Sequence, residues 1–207
     1  MRDNIYCMAT QYDYTLKSLD ERLVMKHLIP IIYNQDKYDI EYYFTDEYGK
    51  DTYDCYVMGF EKETHTILKR QIIEIKIRDT HYPDLLLEKD KLTRLKQKAK
   101  ESDATIIYIT TTPLGTYLFN LTLLDKSSSF HWSKEEHWKT TTDKSNGKKM
   151  KWVTYLSVDE AKLIDLKTSD IPRYRIEETK SKDLQKTIVK QKRNICIFRD
   201  VQKMNEQ

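Results

Sequence analysis

Two acidic residues and one lysine stand at a spacing that suits metal-assisted chemistry. Asp54 lies in the segment TYDCYV, and Glu74 is followed two positions later by Lys76 in a run of alternating isoleucines. If the two segments are paired strands, the carboxyl groups of Asp54 and Glu74 converge at one end of a sheet. Two carboxylates held close together repel each other unless a cation lies between them. The pair therefore indicates a site for a hard divalent ion such as Mg²⁺, which prefers oxygen ligands.

The backbone and the lysine of the same segment complete this candidate site. The carbonyl oxygen of Ile75 is a candidate third protein ligand. Lys76 lies on the same strand face as Glu74, so its ammonium group is placed to orient a metal-bound water or to stabilise charge on a phosphate. The alternative is that Glu74 and Lys76 are solvent-facing strand residues and that Asp54 lies in a turn. The flanking pattern argues against this alternative, because a buried strand face seldom keeps charged residues unless they pair or function.

Hydrophobic periodicity and turn residues predict the elements that must position these side chains. The first is a helix, with Ser18 as N-cap and Glu21 at the capping-box position. The predicted elements are a helix over 18–31, strands over 38–45, 52–58 and 66–78, a helix over 84–101, strands over 104–111 and 116–124, a polar excursion over 125–149, a strand over 151–156 and a helix over 158–166. This order predicts a mixed α/β fold with a small central sheet and helices on its faces.

Asp54 on one strand and Glu74-Ile75-Lys76 on the next resemble the motif of the PD-(D/E)XK phosphodiesterase superfamily, the restriction-endonuclease-like nucleases. The resemblance covers roughly residues 18–124. It implies an αβββαβ core, in which helices flank a central mixed β-sheet and a C-terminal extension follows. It further implies that Asp54, Glu74 and Lys76 are catalytic, that Mg²⁺ or Mn²⁺ is the cofactor and that DNA is the substrate. The sequence departs from the family at Tyr53, where many members have proline.

The resemblance extends to residues around the motif. Members often carry an additional acidic ligand on the first helix, and Glu21 is the candidate here, although a capping-box role explains it equally well. Polar residues on the helix after the lysine approach the scissile phosphate in the family, which points to Lys89 and Lys96. A solvated helix face is the alternative. Further basic residues are candidates for binding the nucleic-acid backbone, namely Arg78, Lys190, Lys192 and Arg193.

Composition and charge exclude several classes of protein. Of the 207 residues, 39% are hydrophobic and 33% are charged, and the net charge is +3. There is no apolar run long enough to span a membrane and no apolar N-terminal stretch typical of a secretory signal. The three cysteines lack a CxxC pair, which argues against a thiolate zinc site and fits a reducing, cytoplasmic location. Charge is segregated, with an acidic block over 11–63 and basic blocks over 88–100 and 180–207.

The sequence thus predicts a metal-dependent DNA nuclease, with a nuclease-like domain over 1–170 and a basic extension over 171–207. The resemblance is compatible with a phage or mobile-element setting, and with a homodimer, because nucleases of this kind that cut both strands are often dimers. One alternative is a catalytically inactive nucleic-acid-binding protein on the same fold, and another is a partner-binding module. His131 and His137 form a weaker metal-site candidate, for which a surface aromatic loop is the alternative.

Overall fold

The structure, a computed structural model, describes residues 2–45, 52–139 and 147–173, with side chains from residue 17 onward. The helices are α1 (Arg2–Ile32), α2 (Lys89–Ser102) and α3 (Leu121–Lys126), with 3-10 turns at Val158–Glu160 and Thr168–Asp170. The strands are β1 (Tyr38–Phe44), β2 (Cys55–Glu61), β3 (Ile67–Ile77), β4 (Asp84–Glu88), β5 (Thr105–Thr112), β6 (Gly115–Asn120), β7 (Ser133–Trp138), β8 (Lys148–Ser157) and β9 (Lys162–Ile164). No described helix combines the length and the hydrophobicity that crossing a membrane requires.

A mixed sheet forms the centre of the molecule, with strand order β1-β2-β3-β5-β6-β9 among the described residues. β3 and β5 pair in parallel, and the other neighbours in this sheet are antiparallel. A parallel pair needs a crossover connection, and here the crossover contains β4 and α2. The predicted mixed α/β fold, with a central mixed sheet flanked by helices, is confirmed. The core order α1-β1-β2-β3-α2-β5 is also as predicted, with β4 added.

Alternation along β3 decides which helix covers each face of the sheet. Ile73 and Ile75 are fully buried in a core cluster with Met25 of α1. Ile72 points to the opposite face and packs in a second cluster with Leu95 of α2. Because side chains alternate along a strand, Glu74 belongs to the α2 face together with Ile72.

A second sheet, with strand order β4-β8-β7, lies against α2 and corrects one prediction. The helix expected over 84–101 begins only at Lys89, because residues 84–88 form β4 and pair with β8. Leu85 and Leu87 are 0% and 2% exposed. Their burial against β8 and α2 outweighs the helical propensity of the leucine run, and the pairing joins segments about 70 residues apart, which a local pattern does not reveal.

The start of α1 and the end of β6 also differ from the prediction. α1 begins at Arg2, so Ser18 lies inside the helix and is not its N-cap. No glycine or proline interrupts the chain between Arg2 and Pro30, and the helix therefore continues through the capping-box sequence. The strand expected over 116–124 ends at Asn120, whose side chain caps α3 by accepting a hydrogen bond from the Leu123 amide.

The helix expected over 158–166 is wrong as well. Ser157 caps the start of this segment, accepting a hydrogen bond from the Asp159 amide, but the helical part is a 3-10 turn of three residues. The chain then forms β9, which pairs with the edge of β6. The predicted excursion over 125–149 contains α3's end and β7, and the strand predicted over 151–156 is the central part of β8. The description of the chain stops at residue 173, so nearly all of the predicted basic extension over 171–207 lies outside it and stays a prediction.

Candidate active site

Asp54 is held directly beside the middle of β3. It precedes β2, and its backbone N–H donates a hydrogen bond to the Ile73 carbonyl at 2.9 Å. Its own carbonyl accepts a hydrogen bond from the Thr45 amide at 3.1 Å. The carboxylate oxygen Oδ2 accepts a hydrogen bond from the Ile75 amide at 2.6 Å. The strand predicted over 52–58 thus begins only at Cys55, and Asp54 lies just before it. The three hydrogen bonds hold the Asp54 side chain next to Glu74.

Glu74 is a buried carboxylate held by two ammonium groups. Its side chain is 1% exposed, Oε1 lies 2.5 Å from the Nζ of Lys76, and Oε2 lies 2.6 Å from the Nζ of Lys91. Lys76 comes from the same strand face, as the alternation predicts, and Lys91 comes from the first turn of α2. A buried carboxylate requires such partners, because an unpaired charge in the interior is strongly unfavourable. Glu74 is therefore not a solvent-facing strand residue, and Lys76, whose side chain is 31% exposed, contacts it directly.

Glu21 brings a third carboxylate towards this cluster from α1. Its Oε1 lies 4.0 Å from the Nζ of Lys76 and 3.9 Å from the Nζ of Lys17. The same oxygen is buried and accepts no hydrogen bond from any described residue. Because Ser18 is an interior residue of α1, a capping-box role does not explain Glu21. A buried oxygen without a hydrogen bond is a candidate ligand for a bound cation.

The electrostatics of the cluster follow from burial and from the closeness of like charges. Burial, and then the charge of Glu74, raise the pKa of Asp54 to about 6. Burial, and then the charge of Asp54, raise the pKa of Glu21 to about 8. Each of these carboxylates is thus destabilised in its ionised form by a neighbouring carboxylate, which is the situation that a divalent cation relieves.

The pKa values of two lysines in the cluster, Lys76 and Lys17, shift in opposite directions. Burial acts to lower the pKa of Lys76, but the carboxylates of Glu74 and Asp54 outweigh it and hold that pKa well above its usual value. Burial acts to raise the pKa of Glu74, and Lys76 and Lys91 outweigh it, so that this pKa is lowered. Burial lowers the pKa of Lys17. Glu74 and Lys76 are consequently both charged near neutral pH.

The oxygen donors of this cluster are of the chemical type that a hard divalent ion takes, but an ammonium group contacts each Glu74 oxygen. Among the described side chains, no three His, Cys, Asp or Glu groups lie close enough together to hold a metal. The carbonyl of Ile75 accepts a hydrogen bond from the Nζ of Lys76 at 3.0 Å. The available donors are the carboxylates of Asp54 and Glu74, this carbonyl and the buried oxygen of Glu21, all of them oxygen ligands of the kind Mg²⁺ takes. Movement of Lys91 away from Oε2 would free Glu74 for such an ion.

Among the basic residues predicted to bind nucleic acid, Lys89 and Lys96 make their contacts outside this cluster. Lys96 is half-exposed on α2, and its Nζ lies 2.6 Å from Asp125 Oδ2. The Lys89 ammonium lies over two tryptophan rings rather than beside Glu74. Arg78 follows β3, where its amide donates to the Thr111 carbonyl. Residues Lys190, Lys192 and Arg193 lie outside the described residues.

Lys91 is the site residue that the sequence prediction missed. It belongs to the basic run over 88–100, but a helix starting at 84 gives no reason to single it out. The run of three leucines before Glu88 was the available signal, because a short apolar run also suits a buried strand. With α2 starting at Lys89, Lys91 falls in the first helical turn.

The weaker metal-site candidate was the pair His131 and His137. His137 Nε2 lies 3.2 Å from Glu135 Oε2.

Comparisons with known proteins find similar solved structures but no related sequence. No protein-family model and no curated protein matches the chain. A Holliday junction resolvase, Hjc, from the archaeal hyperthermophile Archaeoglobus fulgidus is similar with a TM-score of 0.38 and 14% identity, over 69% of this chain and 89% of that chain. D212, a nuclease from a fusselovirus, is similar with a TM-score of 0.35 and 14% identity, over 70% of this chain and 82% of that chain.

Proposed function

We propose that this protein is a metal-dependent nuclease that hydrolyses DNA phosphodiester bonds at a site of the PD-(D/E)XK type. The observation that carries the proposal is the convergence of three side chains where β2 begins beside β3 in the interior of the central sheet. Asp54 Oδ2 is hydrogen-bonded to the residue between Glu74 and Lys76, and Glu74 and Lys76 contact each other. The order of helices and strands around these residues is the one that the resemblance implies.

The proposed ion is Mg²⁺ or Mn²⁺, held by Asp54, Glu74 and the Ile75 carbonyl, with Glu21 as an additional ligand. When bound, it would supply a water of lowered pKa and neutralise charge on the phosphate. Lys76 would orient the attacking water and stabilise the developing negative charge, because its raised pKa keeps it protonated. Asp54, with a pKa of about 6, is mostly ionised at neutral pH and so is ready to act as a ligand.

The test is cleavage of circular and linear DNA in Mg²⁺, in Mn²⁺ and in EDTA. We expect cleavage with either metal and none in EDTA. Asp54→Asn keeps an acceptor for the Ile75 amide and should lower the cleavage rate about 100-fold or more, as should Lys76→Ala, while DNA binding persists. Asp39→Ala and Lys62→Ala are matched controls, since both residues are exposed and remote from Glu74. Cleavage that continues in EDTA, or in both site variants, would contradict the proposal.

A catalytically inactive nucleic-acid-binding protein on the same fold is the second candidate. It is favoured by one observation: Lys91 occupies the Glu74 oxygen that a metal ion would need. In that case DNA binding is the same with and without EDTA, Asp54→Asn binds as the wild type does, and no metal supports cleavage. The cleavage experiment therefore separates the two candidates directly.

A further inference from the structure

The outer part of the second sheet carries a group of aromatic and basic side chains that the proposed active site does not use. In the β7–β8 pairing, Lys134 is opposite Trp152, and Trp138 is opposite Lys148. Residues directly opposite each other in an antiparallel pair project from the same face. We call this face the tryptophan strip. It comprises Trp132, Trp138, Met150, Trp152, Lys89, Lys134, Glu136 and Lys148.

Three of the four apolar members of the strip are largely exposed, and the fourth, Trp132, packs partly against the core. Met150, Trp152 and Trp138 are 52%, 48% and 37% exposed. On the same face of the sheet, Leu85 and Leu156 are covered by the core, so the strip is the uncovered continuation of a buried surface. A contiguous exposed apolar face of this kind marks a binding surface more often than an ordinary solvated one.

Three ring–lysine pairs of the strip lie within cation–π distance. The Nζ of Lys89 is 5.5 Å from the ring centre of Trp152 and 5.6 Å from that of Trp132. The Nζ of Lys148 is 5.3 Å from the ring centre of Trp138. The strip has three lysines and one acidic residue, Glu136, which contacts Lys148 at 3.3 Å. Positive charge interleaved with flat aromatic surface complements a ligand that has both negative charge and flat rings.

We propose that the tryptophan strip binds single-stranded DNA, with unpaired bases stacked on the tryptophan rings and backbone phosphates on the lysines. Stacking on aromatic side chains combined with a basic track is how proteins bind single strands without reading sequence. In a duplex the bases already stack on one another, so their faces are not available to the rings. An apolar protein partner would offer no negative charge to Lys89 and Lys134. That the single strand is DNA rests on the proposed function, whereas the argument for base stacking rests on the arrangement of the rings and lysines alone.

The dimensions of the strip set the length of the bound segment. From Trp152 to Lys148, the partner of Trp138, the strand advances four residues, or about 14 Å at 3.4 Å per residue. Nucleotides that stack on one another repeat at about 3.4 Å along one strand, and bases that stack on the rings instead are more widely spaced, so the strip accommodates at most about four or five nucleotides. Binding should therefore strengthen with oligonucleotide length up to about four or five nucleotides and change little beyond that length.

Intrinsic fluorescence gives a direct assay, because all three tryptophans of the chain belong to the strip. The full-length protein in EDTA is titrated with an oligothymidine of about 12 nucleotides and with a duplex of the same length. We expect saturable quenching by the single strand, and binding of the duplex at least 10-fold weaker. No quenching by the single strand, or equal affinity for the duplex, would overturn the proposal.

Variants identify the surface responsible. With a dye-labelled oligonucleotide, Trp152→Ala should weaken binding about 5- to 100-fold, whereas Tyr43→Ala, which removes an equally exposed ring from β1, should not change it. Lys134→Ala changes an exposed side chain. It should reduce the slope of the logarithm of the binding constant against the logarithm of salt concentration by about one, the change expected for the loss of one phosphate contact. Unchanged binding in both strip variants would refute the assignment.

Failure of this inference is distinguishable from failure of the proposed function. Quenching by single strands without cleavage in any metal would support single-strand binding by the strip and contradict the nuclease proposal. Metal-dependent cleavage of DNA with no fluorescence response would support the nuclease proposal and contradict single-strand binding by the strip.

Discussion

Replacing Lys91 with methionine removes one of the two ammonium groups that contact the buried carboxylate of Glu74. Breaking a buried ion pair by removing one partner costs about 3–5 kcal/mol, because the other charge stays buried. Here Lys76 remains, and the Lys91 side chain is 23% exposed, so solvent compensates in part. We therefore expect the free energy of unfolding in EDTA to fall by about 2 kcal/mol. The measurement is urea denaturation near neutral pH.

Lys96→Met is the matched control for this experiment. Lys96 lies on the same helix and contacts Asp125 at 2.6 Å, but its side chain is 51% exposed. An exposed pair of this kind contributes about 0–1 kcal/mol. The two variants remove the same charge from α2, so a difference in their stability reports on the burial of Glu74 rather than on net charge.

The pH dependence of the Lys91→Met effect has a definite sign. The pKa of Glu74 is lowered in the folded protein, so its ion pairs stabilise the fold above its unfolded pKa of about 4.3 and lose this effect as the pH falls through the lowered value. The destabilisation should be complete near neutral pH and should shrink in acid, where the carboxylate of the variant is protonated. Equal stability of Lys91→Met and wild type near neutral pH would refute this account of Glu74.

Magnesium provides a second measurement on the same variant. Without Lys91, Oε2 of Glu74 is open to a cation, and a ligand that binds the folded state stabilises it by about 2.7 kcal/mol at a hundred times its dissociation constant. Mg²⁺ should therefore raise the denaturation midpoint of Lys91→Met more than that of the wild type. An identical Mg²⁺ response in the two proteins would argue that Glu74 is not a metal ligand.

Three further predictions concern other parts of the structure. Burial and the charge of Asp54 raise the pKa of Glu21 to about 8, so the folded state binds the extra proton and loses stability as the pH rises from about 4 to 8; Glu21→Gln should flatten this decline in urea titrations performed in EDTA. Burial raises the pKa of the Cys55 thiol to about 12, so in a variant lacking Cys7 and Cys196 a thiol reagent should react after unfolding and not before. Leu87→Ala should cost about 2–5 kcal/mol in the same denaturation assay, because its side chain is 2% exposed in the core between β4 and α2.

The part of the fold that was predictable from the sequence is the part with strict local periodicity. The alternating isoleucines of β3 predicted which residues share a strand face, and thereby the common face of Glu74 and Lys76. Where long-range pairing decided the structure, local patterns failed. Leu85 and Leu87 fit a helical stripe as well as they fit a strand, and the distant strand β8 selects the strand.

In the candidate site too, local sequence patterns predicted some residues, and others depended on structure that those patterns do not reveal. The closeness of Asp54 to Glu74 and Lys76 was predictable because β2, which begins directly after Asp54, and β3 are close in sequence and pair in a hairpin-like order. Lys91 was not, because its contact with Glu74 depends on where α2 begins. Glu21 was ambiguous in the sequence, since Ser18 and Glu21 match a capping box, and only the continuation of α1 to Arg2 removes that explanation.

The start of α2 connects the candidate active site with the tryptophan strip. Lys89 and Lys91 both lie in its first turn, two residues and therefore about 200° apart around the helix axis. They consequently project to different sides: Lys91 contacts Glu74 in the central sheet, and Lys89 covers two rings of the strip. Because the two residues differ by only about 3 Å along the helix axis, a DNA strand bound at Lys89 would lie on the other side of α2 from the contact between Lys91 and Glu74. The same boundary between β4 and α2 thus sets both the charge balance of the acidic cluster and the position of the aromatic surface beside it.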